Sequence, residues 1–227
     1  MSEALPIVAI LGGTGELGTG LARRWVQAGY QVIIGSRTAD KAEVAADSLR
    51  ATMGERGIAS VSVTAMENLE AATAADICAM TVPFAHHSST LEHVRSALVG
   101  KILIDVTVPL VPPKVARVQL PAEGSAGQIA QQLLGDEVMV VSAFQNVAAH
   151  HLQEGHGLSC DVIVCGNKKV ARAEVISLVE AAGMRGFHGG SIANSAATEA
   201  LTSVLIFINK QYGCHAGISI TGVDDEA

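Results

Sequence analysis

Apolar positions in the first two-thirds of the chain fall into short aliphatic runs separated by longer stretches with helical spacing. Residues 7–11, 31–34, 61–64, 76–82, 101–106 and 137–142 read as strands, and residues 16–28, 38–53, 68–74, 86–98 and 125–134 as helices. Strands apolar on both faces belong to a parallel sheet covered by helices on each side. Regular strand–helix alternation connects them by right-handed crossovers. The pattern therefore predicts the α/β class with a doubly wound, mostly parallel sheet. After residue 147 it changes to an irregular histidine-containing stretch, a strand at 161–165, a helix at 168–182 and a last helix near 197–210. This predicts a first domain over 1–147 and a small C-terminal lobe over 148–227. Pro109, Pro112, Pro113 and Pro121 cluster in one loop after the fifth strand.

The turn after the first strand reads Gly13-Thr14-Gly15-Glu16-Leu17-Gly18, a G-x-G-x-x-G pattern opening a helix. In that context Gly13 permits the tight turn, Gly15 lets backbone approach a pyrophosphate, and Gly18 allows close helix–strand packing. The helix N-terminus offers unpaired N–H groups to the phosphates. These features predict a dinucleotide-binding Rossmann sheet over 1–147. The second strand ends Gly35-Ser36-Arg37, with Lys41 one helical turn on, where a site for NAD places a carboxylate. A hydroxyl, a guanidinium and an ammonium suit a 2′-phosphate, so NADP is the predicted cofactor. Ligands of such sheets sit beyond the carboxyl ends of the strands. Thr81-Val82-Pro83-Phe84 and Val108-Pro109-Leu110 are thus the expected wall of the nicotinamide pocket, with a plain core role as the alternative for Val82 and Phe84.

Composition narrows the partners. Fifteen Lys and Arg against 22 Asp and Glu give a net charge of −7, which argues against a nucleic-acid surface. It leaves room for small polyanions held by a few placed cations, since net charge says little about a local field. Three of the acids (Asp224, Asp225 and Glu226) stand in the C-terminal tail. The longest aliphatic runs are shorter than a bilayer span, and the N-terminus carries Glu3 without a basic cluster. Cys78, Cys160, Cys165 and Cys214 form no C-x-x-C pair and read as buried free thiols. A soluble, cytoplasmic chain that spans no membrane is expected.

No standard catalytic machinery is legible. Four residues after Tyr30 and Tyr212 stand Ile34 and Ala216, so the Tyr-x-x-x-Lys acid of short-chain dehydrogenases is absent. There is no G-x-S-x-G elbow. The adjacent pairs His86-His87 and His150-His151 do not face one way on a helix, so no metal site is expected. His215 reads as a packing or surface histidine. A nicotinamide site without acid, nucleophile or metal suits a second redox ring as hydride partner, because the protein then mainly positions the two.

The segments VAILGGTGELGTGLARR, IIGSR, TVPF, EGSAGQIA, VVSAF, DVIVCG and above all EALTSVLIFINKQYGCHAGISITGV resemble the NADPH-dependent reductases of coenzyme F420, a deazaflavin. The resemblance runs through nearly the whole chain. It implies hydride exchange between nicotinamide C4 and deazaflavin C5, with F420 as co-substrate. It also implies a homodimer with the C-terminal lobe over the site. Carried over by position, Thr14, Gly15, Glu16 and Leu17 hold the pyrophosphate, and Ser36, Arg37 and Lys41 the 2′-phosphate. Phe84, Ser88, Leu110 and Ala149 line the cofactor. The deazaflavin lies among Val108, Pro109, Phe144, Gln145, Asn146, Val147 and the C-terminal helix, with His215 beside it. Relatives tend to carry a histidine where this chain has Gln145-Asn146, and neither amide titrates near neutrality. Rival readings are an NADPH-dependent reductase of a pterin, flavin or small imine, and a catalytically silent NADP-binding sensor.

Overall fold

The structure, a computed structural model, describes residues 4–58, 61–154 and 158–223; the acidic triplet Asp224, Asp225 and Glu226 lies outside the described residues. Its elements are β1 (Val8–Leu11), α1 (Glu16–Gln27), β2 (Val32–Ser36), α2 (Ala39–Glu55), β3 (Val63–Glu67), α3 (Asn68–Ala74), β4 (Ile77–Met80), α4 (His87–Leu98), β5 (Ile102–Asp105) and α5 (Ala126–Leu134). Then follow β6 (Met139–Ser142), α6 (Ala149–Gln153), β7 (Asp161–Gly166), α7 (Lys169–Ala181), β8 (Arg185–Gly190) and α8 (Ser195–Tyr212). One eight-stranded sheet runs β3-β2-β1-β4-β5-β6-β7-β8. The first six strands are parallel, β7 is antiparallel to β6, and β8 is parallel to β7. The order reverses between β1 and β4, which is where a doubly wound sheet opens a crevice.

Alternation along β1 builds the two faces. Val8 and Ile10 pack with Leu21 and Trp25 of α1 and with Val175 and Leu178 of α7. Ala9 and Leu11 pack with Ala71 of α3, Leu91 and Leu98 of α4, and Ala130 and Leu134 of α5. Trp25 is fully buried. Its indole N–H donates to the Leu178 carbonyl at 2.9 Å, and its ring meets Phe144 edge-on at 6.1 Å.

Several elements and thiols depart from the sequence expectations. The third strand occupies Val63–Glu67, with residues 59 and 60 outside the description. β8 escaped the pattern because half of Arg-Gly-Phe-His-Gly-Gly is glycine and the strand lies on the sheet edge, none of it buried. The five-residue α6 is too short to show a helical period. Only Cys78 and Cys165 are buried thiols, pushed up to about 12 and about 11 by burial, whereas Cys160 is half-buried and Cys214 exposed.

Residues after 147 supply β7 and β8, which extend the common sheet, and α6 to α8. The segment Ile192–Tyr212 is long and apolar enough to cross a membrane by length and composition alone. Here it lies along the domain with an inverted pattern. Ser195, Thr198, Glu199 and Ser203 are buried along with Leu205, while Val204 and Phe207 are exposed.

Candidate active site

The glycine loop sits at the carboxyl end of β1, facing the crevice. The left-handed residue is Gly12 (φ 71), one position ahead of the motif. A Cβ at Gly12 would lie 2.4 Å from Val82 Cγ1, and one at Gly13 would lie 2.7 Å from the Ile10 carbonyl. The turn is held from outside by Asn68, a buried residue at the start of α3 whose Oδ1 accepts from the Gly12 N–H at 3.1 Å. Gly18 behaves as expected. A Cβ there would lie 2.7 Å from Gly13 Cα, so only glycine lets α1 approach the turn this closely. Gly15 is different: its φ of −83° and ψ of 170° suit any residue, and a Cβ would meet nothing within 4 Å. Nothing in the protein requires glycine there. The open space above it, at a helix N-terminus with no side-chain cap, is the cradle that a pyrophosphate fits. Thr14 and Glu16 are exposed and Leu17 is half-buried, so the loop offers its backbone outward.

Ser36 is buried at the end of β2, and Arg37 and Lys41 are exposed beyond it. The structure does not bring the two cations to one cavity. Ser36 and Arg37 line a cavity of about 210 Å³ with Glu67, Asn68, Ser89, Thr90 and His93. Lys41 and Thr14 line a groove of about 510 Å³ between α1 and α2, which also contains Arg23 and Gln153. The Glu67 carboxylate shares the cavity of Arg37.

Three loops follow β4, β5 and β6 at the carboxyl ends of the strands, where the nicotinamide wall is expected. Thr81 anchors on β1, its N–H and hydroxyl both donating to the Leu11 carbonyl. Val82 and Phe84 are half-buried, Pro83 and Ser88 exposed, Pro109 buried, and Val108 and Leu110 half-buried. The residue that joins these loops is Asp105, which sequence reasoning missed. Its Oδ2 meets His87 Nε2 at 2.7 Å, its Oδ1 accepts from the Thr107 N–H at 3.0 Å, and its carbonyl accepts from Gln145 Nε2 at 2.8 Å. His87 is fully buried and stacks beside Phe84 at 6.1 Å. Burial alone would lower the His87 pKa, but the Asp105 hydrogen bond and the charges of Asp105 and Glu199 raise it.

Glu199 on α8 was missed as well, since its partners lie far away in sequence. Its carboxylate accepts from the Ala126 and Gly127 N–H groups at the start of α5, at 2.7 and 3.0 Å. Beside it the Ser125 and Ser195 hydroxyls pair at 2.7 Å. Burial pushes the Glu199 carboxyl up to about 7, against the opposing effect of those two N–H groups. A buried carboxyl that resists ionisation makes the folded state retain a proton the unfolded chain releases. Stability is then lost as pH rises from about 4.5 through about 7, by about 3 kcal/mol. The raised His87 pKa has the same sign. Thermal melts should show a midpoint falling between about pH 5 and pH 8, and Glu199→Gln should flatten most of that slope.

On the far side, Phe144 turns the chain after β6 with a left-handed backbone (φ 72), rare for a bulky residue and characteristic of functional turns. Gln145 and Asn146, expected to face the substrate, point inward. Gln145 Nε2 serves Asp105 and Ser142, and Asn146 Nδ2 serves the Asp161 carbonyl at 2.8 Å. Both amide nitrogens are committed to the loops they hold, Gln145 Oε1 is buried without a hydrogen-bond partner, and both residues are 5% exposed. Val147 does reach a cavity, of about 330 Å³, shared with Ala148, His151, Leu158, Cys160, His215 and Gly217. Ala149 is half-buried at the start of α6.

α6 is tied to the phosphate loop through Gln153, whose amide donates to the Glu16 carbonyl and Thr19 hydroxyl. Arg24 grips the other side of α6 through the His151 and Leu152 carbonyls. The adjacent histidines are not divergent as expected. α6 is a single short turn, and His150 and His151 both contact Glu154 at 3.2 Å, with the His215 ring 4.9 and 5.3 Å away. Among the described residues, no group of three His, Cys, Asp or Glu is placed to hold a metal ion.

Comparison with known proteins identifies relatives along the whole chain. The sequence profile described as NADP oxidoreductase, coenzyme F420-dependent, matches residues 7–109. The F420-dependent NADP reductase of Methanocaldococcus jannaschii is 37% identical over 223 residues, covering 96% of this chain and 99% of that protein. Its counterpart in Methanothermobacter thermautotrophicus is 35% identical over 226 residues, covering 96% of each. The solved structure of an Arthrobacter sp. FB24 protein assigned as an F420-dependent NADP reductase superposes with a TM-score of 0.76 and 25% identity. That alignment covers 95% of this chain and all of that one. On end-to-end similarity at this level, with the glycine cradle and the C-terminal segment both included, the chain belongs to the F420-dependent NADP oxidoreductase family.

Proposed function

We propose that this protein is an NADP-dependent oxidoreductase that passes a hydride between NADP(H) and coenzyme F420. The observation that carries the reading is an unobstructed phosphate cradle at Gly15, joined through α6 to a second cavity beyond Val147, in a chain aligned throughout with reductases of that name. NADPH supplies the hydride from nicotinamide C4, and F420 accepts it at C5 with one proton from solvent, giving NADP⁺ and the dihydro form. The protein's part is placement. The glycine loop and the start of α1 take the pyrophosphate through Thr14, Gly15, Glu16 and Leu17. Ser36 and Arg37 take the 2′-phosphate, and Lys41 adds positive charge from the adjoining groove. Thr81 to Phe84 and Val108 to Leu110 wall the nicotinamide. The acceptor takes the cavity of Val147, His151 and His215, while Gln145 and Asn146 brace that wall from behind.

Residues 1–147 form the nucleotide-binding part of this reading, and 148–227 supply the acceptor wall. We read the protein as a cytoplasmic homodimer that spans no membrane and takes small-molecule partners rather than nucleic acid. Val204 and Phe207 of α8 are exposed, as are Val118 and Leu120 of the segment that the Ser203 hydroxyl meets by donating to the Arg117 carbonyl, and exposed apolar side chains of this kind suit a second copy.

Mixing protein, NADPH and F420 should bleach the visible absorbance of the deazaflavin, and no bleaching between about pH 5 and pH 9 would overturn the assignment. Cofactor choice is tested by Arg37→Ala. A charge-assisted hydrogen bond contributes about 1.5–3 kcal/mol, so the NADP over NAD preference in kcat/KM should fall about 10- to 100-fold.

A further inference from the structure

After α8 the chain doubles back across the start of β7 as a strap. Gly213 ends the helix in the left-handed conformation (φ 63), and the Ala216 N–H donates to Asn209 Oδ1 at 2.7 Å. The Asp161 N–H then donates to the Ile218 carbonyl at 2.9 Å. Both Asp161 carboxylate oxygens are engaged by the Arg185 guanidinium, Nε to Oδ1 at 2.8 Å and Nη2 to Oδ2 at 2.7 Å. The Ile220 N–H donates to the same Oδ2, and Arg185 Nη2 also donates to the Ile220 carbonyl. This clasp holds the Asp161 carboxyl below its ordinary range, with Arg185 the leading cause.

None of the described residues 213–223 is fully buried; Ala216, Ile218 and Ile220 are half-buried, and the strap is fixed by the polar clasp together with the contact of His151 Nε2 to the His215 carbonyl at 3.3 Å. Yet His215, Ala216 and Gly217 line the 330 Å³ cavity together with Val147 and His151. The strap lies directly on Cys160, where a Cβ at Gly217 would come 2.8 Å from the sulfur.

We infer that Asp161 and Arg185 are positioning residues for the hydride acceptor: clasped at the start of β7, they hold residues 214–220 across the acceptor cavity and set its shape without touching NADP. The inference rests on the reading of that cavity as the F420 site. Loss of the bidentate pair by Asp161→Asn or Arg185→Gln should raise the Kd for F420 about tenfold or more. The Kd for NADP should stay unchanged, and the Ile220 and Ala216 amides should exchange hydrogen faster. Gly217→Ala, which lifts the strap from Cys160 while leaving the clasp intact, should weaken F420 in the same selective way.

F420 binding is read by fluorescence quenching, NADP binding by calorimetry and amide exchange by NMR, all on the full chain. Equal losses of F420 and NADP affinity would reduce the clasp to a general structural role. Faster exchange with F420 affinity unchanged in both kinds of variant would overturn the inference while leaving the cavity assignment open to F420. Failure of the unaltered protein to bind F420 at all would instead overturn the proposed function, and the inference with it.

Discussion

Gly15→Val is expected to abolish NADP binding without destabilising the protein. The backbone at Gly15 lies in the extended region open to valine, and a Cβ there meets no heavy atom within 4 Å. The melting temperature should stay within about 1–2 °C of the unaltered protein, because such surface substitutions cost little. The added methyls would fill the space through which the pyrophosphate approaches the helix N-terminus, so NADP affinity should fall at least about 100-fold. Gly18→Ala makes the opposite comparison. Its Cβ would sit 2.7 to 2.9 Å from the backbone of Gly13, which cannot yield as a side chain can. That variant should lose about 1–3 kcal/mol of stability through overpacking before any question of ligand arises. Calorimetry with NADP beside thermal melts separates the two, and full NADP affinity in Gly15→Val would place the phosphates elsewhere.

Asp105→Ala should be the most damaging single change to the scaffold of the site. It strips the hydrogen-bond partner from fully buried His87 and the acceptor from the Thr107 N–H. Breaking a buried pair from one side costs about 3–5 kcal/mol. For a chain of this length that lowers the melting temperature by about 10 °C. Asp105→Asn, which keeps an acceptor for Thr107 and can still hydrogen-bond His87, should fall between the two. Melts near neutral pH check the order, and an unchanged midpoint in Asp105→Ala would show that the pair does not brace the three loops.

Local rules made the cofactor half of the site legible. Gly13 and Gly18 are constrained by backbone approach within one strand–turn–helix unit, Gly15 leaves open the space above the helix N-terminus, and the Ser36-Arg37 ending of β2 follows at a fixed distance along the chain. The aliphatic runs revealed the parallel strands because burial on both faces leaves no polar alternation to misread. Long-range pairing left other parts hidden. Glu199 meets Ala126 and Gly127, and Asp105 meets His87 and Gln145, through contacts that no periodicity encodes. Gln145 and Asn146 were misplaced because their segment borders the site, whereas each amide turns inward to satisfy buried backbone carbonyls. β8 gave no signal, since a glycine-rich edge strand buries too little to need an apolar run.

The central claim is direct hydride transfer between NADPH and F420 within this chain. It is tested most directly with NADPH carrying deuterium at both C4 positions, incubated with the protein and F420 in ordinary water, and the product read by NMR at deazaflavin C5. One deuterium on C5 of every reduced F420 is the predicted result. Reduced F420 without label, or NADPH oxidation with F420 left intact, would contradict the account.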